Sequence, residues 1–381
     1  TEHDASDPRV TLHVINTARV RDGYTHQEVD SAFRTLVHAL RPDIVHFGHL
    51  SHLSTSLVLE AHASGIPIVF TLHDYWLMCP RGQFIQISPS EPADTWALCH
   101  EQEDHKCAER CYSRYYSGAP SGREEDLAYW SRWIARRMAH VREVCKAVDL
   151  FIAPSRFFQT KFRDEFGIPS HKLVYLDYGF HVDRLRGRQR TEGEPFTFGY
   201  TGTHTIAKGV HHLIEAFAHL SGKPVLRIWG RYRGTESASL MSHTDALPSD
   251  VRERVEWKGE YSNGDIVPNV LNQCDAIVVP SIWAENSPLV IHEALQARVP
   301  VVTADYGGMA EYIHHEVNGL LFKHRNPKSL SRQMQRLVDA PEFAIKLGKR
   351  GYLQSEDGNV PTIEKHTRDI EELYASLIRP K

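Results

Sequence analysis

An alternation that runs almost the length of the chain most narrows the fold: short apolar runs bounded by turn residues, with longer amphipathic stretches between them. Val10–Asn16, Ile44–Phe47, Ile66–Leu72, Leu150–Ala153 and Lys172–Leu176 come first. The pattern resumes with Phe196–Tyr200, Val225–Trp229, Val255–Trp257, Ala276–Val279, Pro300–Thr303 and Gly319–Phe322. Helical spacing marks Glu28–Leu40 and Ser54–Ala63. Apolar strands separated by helices predict an α/β protein, with parallel sheets covered on both faces.

The two halves part at Arg184–Glu194, a charged stretch without periodicity that suits an interdomain linker. Two doubly wound domains would place a ligand in the cleft between them, at the carboxyl ends of their strands. Two regions break the pattern. Cys79–Arg123 is long and rich in Pro, Ser, Cys and aromatics, and a loop of that length is usually functional or stapled. Glu124–Lys146 reads as one long helix, and Thr362–Leu377 as another.

Composition excludes several classes. The 381 residues are 41% hydrophobic and 24% charged, as in a globular protein of two domains. A net charge of −4 gives no global pull toward nucleic acid or anionic lipid. No apolar run is long enough to span a membrane, and Thr1–Asp7 lacks a signal-peptide core. A cytoplasmic protein without structural disulfides is expected.

The strongest chemical signal begins at Trp283 and runs Ala-Glu-Asn-Ser-Pro-Leu-Val-Ile-His-Glu. A strand ending at Val279 leads into a turn and a helix, with Ser287 a good N-cap and Pro288 a good first residue. The free amides around Ser287, Pro288, Leu289 and Val290 would form an anion site suited to a diphosphate. Glu285 and Glu293 flank it, and carboxylates there suit hydroxyls of a ribose and a hexose. Taken alone, the same residues also suit a capped surface helix with solvated glutamates.

The segment resembles the paired-glutamate motif of retaining glycosyltransferases of family 4, which have the GT-B fold of two facing Rossmann-like domains. Other pieces agree in order: Ala153-Pro-Ser-Arg, Phe198-Gly-Tyr-Thr-Gly-Thr-His-Thr-Ile-Ala-Lys-Gly, Val299 to Glu311, and Val317-Asn-Gly-Leu-Leu-Phe. The resemblance implies an acceptor-side domain over 1–183 with a cysteine-rich insertion at 79–123, and a linker at 184–195. A nucleotide-sugar domain would follow over 196–360, and the helix in 361–381 could pack anywhere, including back on the first domain. It implies metal-independent transfer of a hexosyl group, with retention, from a UDP- or GDP-sugar to a glycan or lipid-linked acceptor. Nucleic acid is not expected as a partner.

Residue by residue, Glu285 would touch donor-sugar hydroxyls, Glu293 would hold the ribose, and Lys208 would neutralise the leaving diphosphate. His73, at the end of an apolar strand, would lie near the reacting carbon, with Asp74 as orienting neighbour. Gly202 opens the second domain, Asn286 lies in the motif, and Gly307 and Gly308 would allow close approach to sugar or base. The sequence departs from the family in one respect. Many relatives carry an arginine after the opening glycine, where this chain has Thr203. Arg231 or His204 would have to substitute, or the helix amides would carry more of the charge. His46, His49 and His52 fall near the same strand ends.

Three features stay open in the sequence. Cys79, Cys99, Cys107 and Cys111 suit a structural zinc, a disulfide or separate thiols. The helix bearing Trp130, Trp133, Ile134 and Met138 among arginines either buries one face or lies on a membrane surface. The family's usual glycine-rich opening loop is not found, and Asp43–His49 resembles a strand that normally comes later. The first domain therefore looks shortened, or the chain belongs to a longer polypeptide. Two rival readings are a GT-B nucleotide-sugar epimerase and a nucleotide-sugar-binding scaffold subunit.

Overall fold

Two parallel sheets carry the molecule. The computed structural model describes residues 2–4, 7–15, 23–51, 53–86, 96–118, 122–190 and 194–378; His52 lies outside them. The strands β1 (Glu2–His3) and β2 (Thr11–Leu12) pair antiparallel, apart from both sheets. The first sheet contains β3 (Val45–Phe47) and β4 (Ile68–Thr71). A small ribbon of β5 (Ile85–Gln86) and β6 (Ala97–Leu98) follows. The first sheet is completed by β7 (Leu150–Ala153) and β8 (Leu173–Tyr175), in the order β3-β4-β7-β8.

The second sheet holds β9 (Thr197–Thr201), β10 (Val225–Trp229), β11 (Val255–Trp257), β12 (Ala276–Val279), β13 (Val301–Ala304) and β14 (Gly319–Phe322). Its order is β11-β10-β9-β12-β13-β14, and all pairs are parallel. The strand order reverses between β9 and β12, which opens a crevice at their carboxyl ends. Lys208 follows β9, and Glu285 follows β12. The strands β4, β7, β9, β12 and β13 are buried at every position, which is why they read as continuous apolar runs.

The expected strand Val10–Asn16 shortens to Thr11–Leu12, and residues 11–15 are exposed. It pairs with β1 and not with the first sheet, whose edge is β3; Asn16 lies outside the described residues.

The long insertion is stapled by rings. Tyr112 lies 5.1 Å from Trp130 and 5.3 Å from Trp133, ring to ring, and Cys107 and Cys111 pack in the same cluster. The helix Arg123–Ala147 buries Trp130, Trp133, Ile134 and Met138 in this packing, so the face proposed for a membrane surface is taken. Arg137 on that helix is buried; it donates to the Trp76 carbonyl at 2.7 Å, with its guanidinium 4.6 Å from the Trp76 ring centroid. Among the described residues no helix is long and apolar enough to cross a membrane.

The arginines of the linker fasten it to the second domain. Arg190 makes two bonds of 2.9 Å to the Asp275 carboxylate, and Arg188 donates to the Leu271 and Cys274 carbonyls. The last helix, Ile363–Leu377, returns to the first sheet, with Ile370, Leu373, Tyr374 and Leu377 against Val69, Leu150 and Ile152.

Candidate active site

The crevice of the second sheet faces the end of β4 across a cavity of about 550 Å³, lined by His73, Tyr178, Arg184, Trp283, Glu285 and Asn286 among others. The two halves are in direct contact around it. Tyr75 donates from its hydroxyl to the Ala284 carbonyl at 2.9 Å, and Tyr312 does so to the Pro154 carbonyl at 3.2 Å.

Glu285 is buried and heavily coordinated. Its Oε1 accepts from Ser281 Oγ at 2.5 Å, Lys208 Nζ at 2.7 Å and Trp283 Nε1 at 2.9 Å. Local backbone sets this up. The Ile282 amide donates to the Ala207 carbonyl at 3.0 Å, which ties the lysine loop to the glutamate loop. Gly209 lies at φ 72°, and a Cβ there would meet the Pro280 carbonyl oxygen at 1.9 Å. The Gly308 amide holds the Glu285 carbonyl at 2.8 Å, and a Cβ on Gly308 would sit 1.4 Å from the Asn286 carbonyl oxygen. Gly307 and Gly308 thus allow close approach to the 284–286 loop.

The helix after this loop is Leu289–Gln296, with Pro288 at the N-cap and no side-chain cap. Ser287 is not the cap that the sequence suggested. Its hydroxyl accepts from Tyr312 at 3.0 Å and lies 3.5 Å from Asp177 Oδ1, so two buried partners compete successfully for it. Asn286 is also committed: its amide donates to the Leu72 carbonyl at 2.9 Å, and its oxygen accepts from Ser155 at 3.0 Å. In the uncapped first turn the Ile291 amide donates to the Pro288 carbonyl at 3.0 Å, and the amides of Leu289 and Val290 are left for an anion.

Glu293 points back to the linker, where Arg184 Nη2 lies 2.9 Å from its Oε1. Burial pushes this carboxyl up to about 7, against the opposing pull of Arg184 and then His292. His292, one residue before, is fully buried, with Nε2 3.1 Å from Asp177 Oδ2.

His73 lies on the opposite wall. Its Nδ1 is 2.7 Å from the Tyr178 hydroxyl, and the rings stack at 5.8 Å. Burial lowers its pKa, His49 adds to that, and Asp74 opposes it. Asp74 is not its hydrogen-bonded partner; that carboxylate lies 3.2 Å from His49 Nε2 and accepts from the Trp76 amide at 2.8 Å. His46 faces Thr71 and the last helix, with Nε2 2.7 Å from Thr71 Oγ1 and Nδ1 2.5 Å from the Tyr374 hydroxyl.

Other expected residues stand apart. Gly202 and Thr203 follow β9, where the Gly202 amide donates to the Trp229 carbonyl and the Thr203 carbonyl accepts from Tyr200. The Arg231 side chain is 65% exposed and pairs with Glu260 at 3.4 Å, away from the cavity lining. His204 is buried with its ring 5.0 Å from Trp257. Neither replaces the missing arginine within the cavity. The cysteines form no metal cradle: all six are free, and among the described residues no group of three His, Cys, Asp or Glu could hold a metal ion. Cys99 donates to the Glu101 carbonyl at 2.9 Å, and burial pushes the Cys107 thiol up to about 12.

Sequence reasoning missed Tyr178 and Arg184. The available signal was only that both flank the end of the first domain and precede its charged linker.

The family model described as glycosyl transferases group 1 matches residues 182–354, and the one described as glycosyltransferase family 4 matches residues 3–184. The chain is similar to an uncharacterised glycosyltransferase of Methanocaldococcus jannaschii, 30% identical over 141 residues, covering 36% of this chain and 35% of that protein. It is also similar to the alpha-D-kanosaminyltransferase of Streptomyces kanamyceticus, 24% identical over 196 residues and 47% of each chain. The matched stretch thus spans a third to a half of these curated relatives. Among solved structures, Anabaena HepE in complex with UDP and glucose superimposes with a TM-score of 0.64 at 18% identity, over 92% of this chain and 81% of that one. At that identity the likeness is one of fold.

Proposed function

Because the chain belongs to the group 1 glycosyltransferases of family 4 and has their GT-B fold, we propose that it transfers a hexosyl group from a nucleoside-diphosphate sugar to a glycan or lipid-linked acceptor, with retention at the anomeric carbon. The observation that carries this reading is the Lys208–Glu285 pair, set at the strand-order reversal of the second sheet and opposite His73.

Each residue has a physical task in the proposal. The diphosphate settles at the first turn of Leu289–Gln296 and draws Lys208 toward it. Negative charge on the leaving phosphate grows as the bond to the sugar breaks, so a fixed cation there favours the transition state over the ground state. Glu285 then accepts hydroxyls of the sugar, and Glu293 those of the ribose. The acceptor oxygen bonds to the anomeric carbon on the face the diphosphate leaves, and its proton passes to the departing phosphate oxygen. His73, steadied by Tyr178, borders the reacting carbon. Lys208 and the helix amides carry the charge that a metal ion carries in other transferases, so added EDTA should leave turnover unchanged.

The test is a thermal-shift panel of nucleotides and nucleotide-sugars, with UDP-glucose first because HepE is known with that ligand. A donor at a hundred times its dissociation constant stabilises the fold by about 2.7 kcal/mol. Glu293→Ala should abolish the shift while the variant stays folded. No shift with any UDP- or GDP-sugar contradicts the reading.

A further inference from the structure

Arg184 belongs to the turn Val182–Leu185 at the start of the linker, where Val182 and Leu185 are buried and fix its position. Its guanidinium spans two elements of the second domain. Nη2 lies 2.9 Å from Glu293 Oε1, and Nη1 donates to the Asn263 carbonyl at 3.1 Å. The Nε is buried with no partner among the described residues. Of the described residues lining the cavity that His73 and Glu285 share, Arg184 is the only arginine or lysine. The other cations have been placed elsewhere: Arg231 pairs with Glu260 outside the lining, and Lys208 is engaged by Glu285.

We propose that Arg184 is a positioning residue for donor binding: the linker supplies the counter-ion that favours the carboxylate form of Glu293 and aims it at the nucleotide ribose. This rests on the reading of Glu293 as the ribose holder. Two ribose hydroxyls both donate, and a carboxylate accepts both, whereas a protonated acid gives up part of its acceptor capacity. Three groups face Glu293. Arg184 comes from the linker and His292 from its own helix, and both favour the charged form. Tyr261 comes from the loop after β11, and its phenol is raised by burial and then by Glu293. Burial works against the charge, and among the described residues Arg184 is the larger of the two cations that oppose it, so its loss shifts the balance near neutral pH.

The experiment is calorimetric titration of UDP and GDP into the full chain and into Arg184→Gln, Arg184→Lys and Glu293→Ala, from pH 6 to pH 9. Loss of the counter-ion makes the Glu293 carboxylate hold its proton more tightly, and a tenfold tighter hold leaves about a tenth of the charged fraction at any pH well below the midpoint. With the Glu293 midpoint of the unaltered protein at about 7, Arg184→Gln should therefore bind about fivefold more weakly at pH 7 and close to tenfold more weakly at pH 6, and recover most of that loss by pH 9. Arg184→Lys should retain the unaltered protein's pH profile. A loss in Arg184→Gln that is the same at every pH, or no loss, overturns the inference while Glu293→Ala still abolishes binding. Undiminished binding by Glu293→Ala, or no binding by the unaltered chain, overturns the ribose reading and this inference together.

Discussion

Lys208 Nζ lies 2.7 Å from Glu285 Oε1. The cation assigned to the leaving diphosphate is therefore already neutralised by the acid assigned to the sugar. Donor binding has to exchange this pair for two substrate contacts, a lysine to phosphate and a carboxylate to hydroxyls. The lysine is partly exposed, at 33% of its side chain, and the glutamate is nearly buried, at 7%, so the lysine is the partner free to swing. Lys208→Ala should cut turnover by about 10²–10³, the usual cost of removing one preorganised group that meets developing charge. Its effect on KM for the donor should be smaller, and steady-state assays separate the two.

Gly308→Ala tests the support beneath Glu285. The new methyl would overlap the Asn286 carbonyl oxygen at 1.4 Å and push the 284–286 loop away from β13. The variant should lose transfer by at least about a hundredfold through misplacement of Glu285, as small displacements of a catalytic group do. Circular dichroism checks that the sheets remain.

Asn286→Ala tests the clasp between the domains. It removes bonds to the Leu72 carbonyl and to Ser155, both across the cleft, and leaves buried polar groups without partners. The expected loss is about 1–3 kcal/mol of stability, read by urea denaturation. Turnover should also fall, because His73 hangs from the same segment: its carbonyl accepts from Asn286 at 3.3 Å.

Glu293 predicts a pH dependence of stability with a definite sign. Its folded-state carboxyl is raised to about 7, above the ordinary value of 4.5. Between these values the folded chain holds a proton that the unfolded chain has lost, so this group's contribution to stability falls as pH rises through that window. Glu293→Gln cannot titrate. The melting temperature of the variant relative to the parent should therefore climb from pH 5 to pH 7, measured by differential scanning fluorimetry without nucleotide.

The parts of this account that were legible in the sequence share a cause. Leu150–Ala153 and Ala276–Val279 are buried at all four positions, so burial wrote them as uninterrupted apolar runs. Glu285 and Lys208 were singled out through the family resemblance, and each lies in the loop after a buried strand, at the end where clefts form. Tyr178 and Arg184 were not, because what defines them is a partner 105 and 109 residues away. Ser287 misled for a related reason: local spacing favours a cap, but Asp177 and Tyr312 arrive from distant segments and take its hydroxyl. The cysteine cluster was ambiguous in sequence because close spacing suits a metal and a packed core alike, and here Cys107 and Cys111 join aromatic packing.

The most direct measurement is nucleoside-diphosphate release from UDP- and GDP-hexoses, followed by mass spectrometry of both products, for the parent chain, Lys208→Ala and Glu285→Gln. The account predicts that the parent releases UDP or GDP together with a glycosylated acceptor or free sugar, and that both variants lose this release by more than about a hundredfold. Equal release by all three, or conversion of the donor into an isomeric nucleotide-sugar with no release, would contradict it.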